Sequence, residues 1–92
     1  MIVRILGEGQ FRLPESAAAT LNVIDERLEA AVAARDEFAF ATELDALVEA
    51  VRSHGTPVGD DELVPSDAVV PDPDTTLHEA RSLLSEEGLI PD

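Results

Sequence analysis

The chain opens on Met1-Ile2-Val3-Arg4-Ile5-Leu6, a short β-branched run that predicts a strand buried over most of both faces. Gly7-Glu8-Gly9 punctuates it. Gln10-Phe11-Arg12-Leu13 then resumes in strict alternation up to Pro14, with Phe11 and Leu13 on one face and Gln10 and Arg12 on the other. The pattern predicts a β-hairpin over residues 1–14, Gly9 taking a positive φ at the turn. From Ser16 to about Ala34 the period changes, and Leu21, Ile24, Leu28, Ala31 and Val32 recur three and four apart. That spacing places them on one stripe of a helix about 30 Å long. A side-chain oxygen of Glu15 or Ser16 is expected to serve its first turn.

Arg35-Asp36 breaks the pattern, and Asp36 is a natural N-cap for a second helix reaching Ser53. Its stripe is Phe40, Leu44, Leu47, Val48 and Val51, and His54-Gly55-Thr56-Pro57 marks its end. Two long helices joined this tightly form an antiparallel αα-hairpin over residues 16–54. Residues 55–75 form a connection in which Pro57, Gly59, Pro65, Pro71 and Pro73 forbid continuous helix. Leu63-Val64 and Ala68-Val69-Val70 are its two apolar pieces, and the second is favoured as an edge strand beside the hairpin. Thr76-Leu77-His78-Glu79 fits a capping box at the start of a last helix running to Glu87, with Leu77, Ala80, Leu83 and Leu84 as its apolar side. Gly88 fits its C-terminal stop, and Leu89 and Ile90 are expected to fold back onto the core. The fold expected is α+β: an N-terminal β-hairpin, with a short third strand, packed on the αα-hairpin, plus a C-terminal helix and tail over residues 76–92. All 92 residues form one domain.

Composition narrows the chemistry. Twenty acids stand against six bases, all arginine, for a net charge of −14. Such a surface repels phosphate backbones and anionic headgroups, so direct nucleic-acid binding and direct membrane insertion are not expected. Apolar residues still make up 45% of the chain, enough to build a core despite the charge. The absence of cysteine removes disulfides, thiolate metal sites and thiol nucleophiles. Apolar stretches fall far short of the roughly 20 residues that span a bilayer, and no basic n-region with an apolar h-region opens the chain. A soluble, cytoplasmic protein is expected.

No motif calls for a cofactor or a metal. Gly7-x-Gly9 follows a strand, but Arg12 stands at the third glycine position of a dinucleotide fingerprint and another strand follows, so it reads as a hairpin turn. His54 and His78 lie where helix ends explain them. None of the five serines occupies a nucleophile elbow. Asp60, Asp61, Glu62, Asp67, Asp72 and Asp74 crowd one connection without calcium-loop spacing, which makes a solvated acidic loop. Asp25 with Glu29 and Asp45 with Glu49 are like-charge pairs at i and i+4. They point either to high ionic strength, which screens them, or to a basic surface docking there.

Three segments then stand together in order: residues 1–13, the block His54 to Asp67, and the block Leu77 to Gly88. With Gly7-Glu8-Gly9-Gln10-Phe11-Arg12 and Asp61-Glu62-Leu63-Val64-Pro65-Ser66-Asp67 as the most specific pieces, the chain resembles the PspA-associated protein family, PspAA, of archaea and actinobacteria. Val58-Gly59-Asp60 is where a departure is expected. The resemblance implies a non-enzymatic partner of phage-shock protein A, a helical, membrane-remodelling coiled-coil protein similar to ESCRT-III subunits, with a role in envelope stress and a place at the inner face of the membrane. It supplies no catalytic residues. Two surfaces are the partner-binding candidates: the hairpin face with Arg4, Glu8, Gln10 and Arg12, and the acidic loop with Asp60, Asp61, Glu62 and Asp67. Self-association into a homo-oligomer through the helical hairpin is the alternative reading.

Overall fold

The computed structural model describes residues 1–84, and its architecture is α+β, with the elements in the predicted order. β1 (Ile2–Ile5) and β2 (Gly9–Arg12) pair antiparallel, Val3 opposite Phe11 and Arg4 opposite Gln10. Leu6-Gly7-Glu8 makes the turn, closed by the Glu8 amide donating to the Ile5 carbonyl at 2.9 Å. Gly7 has φ +88 and Gly9 φ +111, a region that a Cβ closes to most residues. The positive φ expected of Gly9 is therefore present, and Gly7 shares the role.

A 3₁₀ turn, Glu15–Ala17, runs straight into α1 (Ala18–Ala34). Neither Glu15 nor Ser16 caps it, contrary to the sequence expectation. Ala17 is already helical (φ −80, ψ −16), so no extended residue precedes the helix from which a side chain could reach the first amides. The Ala17 amide instead donates to the Pro14 carbonyl at 3.0 Å. At the other end Arg35 turns left-handed (φ +56), and the amides of Arg35 and Asp36 fold back onto the carbonyls of Val32 and Ala31. This bond pair closes a helix through one left-handed residue. Asp36 then caps α2 (Glu37–His54), its Oδ1 accepting from the Ala39 amide at 3.0 Å. Leu21, Ile24, Leu28 and Ala31 of α1 and all five stripe residues of α2 are buried, while Val32 is half-buried.

The sheet has four strands in the order β3-β2-β1-β4. The expected edge strand forms as β4 (Ala68–Val70), parallel to β1, whereas Leu63-Val64 stays outside the sheet. The second edge, β3 (Thr56–Pro57), was not foreseen; it pairs antiparallel with β2. Val3, Ile5, Ala68 and Val70 are buried in the core beneath the helices. Arg4, Gln10, Arg12 and Val69 belong to the opposite face by strand alternation. Because β3 and β4 lie at opposite edges, residues 58–67 have to cross the sheet. Their bonds to Gln10 and Arg12 show that they cross over this outer face, as a strap.

α3 (Leu77–Leu84) packs against both α1 and α2 and buries Leu77 and Ala80. The Glu79 amide donates to Thr76 Oγ1 at 3.2 Å, and the Thr76 hydroxyl donates to the Glu79 carboxylate at 3.1 Å, so Thr76 caps the helix as expected. The expected extension to Glu87, the stop at Gly88 and the fold-back of Leu89 and Ile90 lie outside the described residues. Asp25 is buried while Glu29 is exposed. They therefore do not form the exposed like-charge pair their spacing suggested, which Asp45 and Glu49, both exposed, still do.

Candidate partner-binding surface

The strap is fixed to the sheet by four sets of contacts, the first of them the Val58 amide donating to the Gln10 carbonyl at 2.9 Å. The Asp67 amide donates to the Ile2 carbonyl and the Ile2 amide donates to Asp67 Oδ2, both at 2.7 Å, extending the β1–β4 ladder by a side chain. Gln10 Nε2 donates to the Val64 carbonyl at 2.9 Å and to Ser66 Oγ at 2.8 Å. Arg12 forms an ion pair with Glu62. That pair is about half exposed on both sides, so solvent leaves it roughly 0–1 kcal/mol. The partly buried Gln10 and Asp67 bonds are the firmer anchors.

A second ion pair ties the hairpin turn to the helices. Arg52, in the last turn of α2, donates from Nε to Glu8 Oε1 at 2.9 Å and from Nη2 to Glu8 Oε2, a bidentate fork. Glu49 lies 3.5 Å from Arg52 Nη1. Hydrogen bonding to Glu8 raises the Arg52 guanidinium above its ordinary value, so the positive end of the pair persists across all ordinary pH.

Five of the eight candidate residues thus have structural partners: Glu8, Gln10, Arg12, Glu62 and Asp67. The other three, Arg4, Asp60 and Asp61, are exposed and make no hydrogen bond or ion pair among the described residues. The two candidate surfaces are also one. Strap and hairpin enclose a cavity of about 620 Å³ lined by Arg4, Gln10, Val58, Asp60, Leu63 and Val64. Leu63, 94% exposed, stands on the strap, and Val69, 40% exposed, lies in register with Arg4 on β4. Sequence reasoning left out Arg52, Val64, Ser66 and Val69. Arg52 and Glu8 are 44 residues apart, and no local pattern announces such a pair.

Among the described residues no group of three or more His, Cys, Asp or Glu is placed to hold a metal ion, and no helix is long and apolar enough to cross a membrane. His54 and His78 are exposed at helix ends. What the surface offers is one cation, two free carboxylates and two uncovered aliphatic side chains, groups that recognise another molecule's side chains.

Comparison with known families settles the kinship. A family model described as PspA-associated protein matches residues 1–92. The chain belongs to the PspAA family. In this PspAA chain the two segments that carried the resemblance, residues 7–12 and 61–67, are the turn with β2 and the strap. They meet through Gln10 with Val64 and Ser66 and through Arg12 with Glu62. No curated protein and no solved structure matches the chain.

Proposed function

We propose that this chain is a non-enzymatic, acidic regulator that docks on a PspA-family coiled-coil protein and tunes its membrane-remodelling assembly during envelope stress. Residues 1–92 act as one domain, in the cytoplasm and at the inner face of the membrane through that partner. The reading is carried by the family match over the whole chain, whose description names association with PspA. The strap and the hairpin face support it, because their free groups are those of a protein contact: Arg4, Asp60 and Asp61 for charge and Leu63 for apolar anchoring. A net charge of −14 leaves membrane attachment to the partner.

Co-sedimentation of the purified chain with the PspA-family protein of the same source tests this. Complex formation that weakens as salt rises is expected, because exposed charges separated by a Debye length of about 10 Å at 0.1 M are progressively screened. No complex at either low or high salt overturns the proposal.

A further inference from the structure

The cavity under the strap holds one guanidinium that no acid of the described chain takes up. Arg4 stands mid-strand on β1, and its in-register neighbours on the outer face, Gln10 and Val69, carry no charge. Twenty carboxylates are available in the chain, yet none pairs with Arg4 among the described residues. The acids nearest along the cavity wall are turned elsewhere: Glu8 is held by Arg52 and Glu62 by Arg12. Asp60 is the remaining acid of that wall and lies on the strap. The cavity is therefore lined by one guanidinium whose donors are unused and by one unpaired carboxylate, Asp60, while the other two acids of its wall are neutralised in place by Arg52 and Arg12. Leu63, one of the large apolar residues left exposed, lines it, and Val69, another, lies beside Arg4 in the β1–β4 register.

Resting on the partner reading above, we infer that the cavity between strap and sheet is a carboxylate socket: Arg4 receives an Asp or Glu side chain of the PspA-family partner, while Leu63 and Val69 seat aliphatic residues beside it. A guanidinium matches a carboxylate bidentately, and apolar neighbours partly desolvate the pair and strengthen it. An aliphatic residue beside an acid on one face of a helix supplies both contacts at i and i+3 or i+4. A phosphate surface is the poorer occupant, because anionic membranes and nucleic acids are held by clustered bases and here a single cation sits in a chain of net charge −14.

Calorimetric titration of the full chain with the PspA-family protein of the same source tests the socket. Arg4 is exposed and makes no bond within the described chain, so Arg4→Gln is expected to keep its thermal midpoint and circular dichroism. It should weaken binding by about 10- to 100-fold, the range for losing a hydrogen-bonded charge. Arg4→Lys should lose less, and Leu63→Ser several-fold. Unchanged or tighter binding by Arg4→Gln overturns the inference. If Asp60→Asn with Asp61→Asn weakens binding while Arg4→Gln does not, the contact is with a basic partner; the socket falls and the proposed function stands. If the unaltered chain does not bind, both fall. The socket also falls if Arg4→Gln abolishes only self-association in light scattering, or only binding to vesicles of anionic lipid.

Discussion

Gly55 occupies the step from α2 into β3, and replacing it with alanine is a sharp test of how that step is packed. Its backbone is ordinary extended chain (φ −99, ψ 161), so no left-handed conformation demands glycine. Space does. A Cβ at this position would lie 2.6 Å from the Val51 carbonyl oxygen, 3.0 Å from Phe11 Cβ and 3.2 Å from Leu13 Cδ1. The closest of these is backbone, and it accepts the Gly55 amide at 2.9 Å, so it cannot swing aside as a side chain would. Overpacking of this kind costs about 1–3 kcal/mol. The stiffer unfolded chain of an alanine variant returns about 0.4–1 kcal/mol. The net expectation is destabilisation centred on about 1.3 kcal/mol, a drop of about 5–10 °C in thermal midpoint for a domain of this size. Urea unfolding should show a lower midpoint at unchanged slope. Two controls separate space from backbone strain. Gly59→Ala meets only the movable Asp61 Oδ1 at 2.9 Å and should be near neutral, while Gly9→Ala meets nothing within 4 Å and should still lose about 1–3 kcal/mol to its φ of +111. A Gly55→Ala protein as stable as the unaltered chain, or more so, would refute the packing argument.

Three further outcomes are expected. Gln10→Ala removes both side-chain bonds to the strap and should cost about 1–3 kcal/mol at about 0.5–1.5 kcal/mol per bond; hydrogen exchange of residues 59–67 should accelerate more than that of α1 and α2. Leu28→Ala, at a fully buried core position of α1, should lose about 2–5 kcal/mol in denaturant titration. Arg35→Gly relieves a left-handed residue at the α1 terminus, and a gain of about 0.5–1 kcal/mol in thermal unfolding is expected.

The helices were legible because their cause is local. Leu21, Ile24 and Leu28, like Phe40, Leu44 and Leu47, recur at the helical period, and the structure buries all six. Asp36 could be assigned as a cap because one side-chain oxygen and one amide three residues on decide it. β4 was legible as a β-branched piece next to structure breakers, but its parallel partner was not, since pairing across 65 residues leaves no trace in either segment. β3 escaped notice for the opposite reason. It is two residues long, one of them Pro57, and it forms because Gly55 brings the chain alongside β2, with Phe11 opposite Pro57. Asp25 misled by its type: a carboxylate four residues from Glu29 reads as surface, yet it lies on the buried side of α1. The candidate residues lie in two segments that the fold brings together, but nothing in the spacing could divide those that hold the strap from those left free.

That division follows from strand order. With β3 and β4 on opposite edges, one connection must traverse the sheet, and a traverse over a face needs polar anchors for backbone that no strand pairs. Gln10, Arg12 and Asp67 supply those anchors, which is why these polar residues sit at the sheet although their side chains do little for a core. Anchoring uses Gln10 and Arg12 of β2 and the Ile2 end of β1. It leaves the middle, where β1 is flanked by strands on both sides and Arg4 projects between Gln10 and Val69. Arginine keeps its charge in water, and the chain arches over it, leaving about 620 Å³ open beneath Leu63 and Val64. Arg4 is thus the one guanidinium that lines the opening, and it has no partner among the described residues.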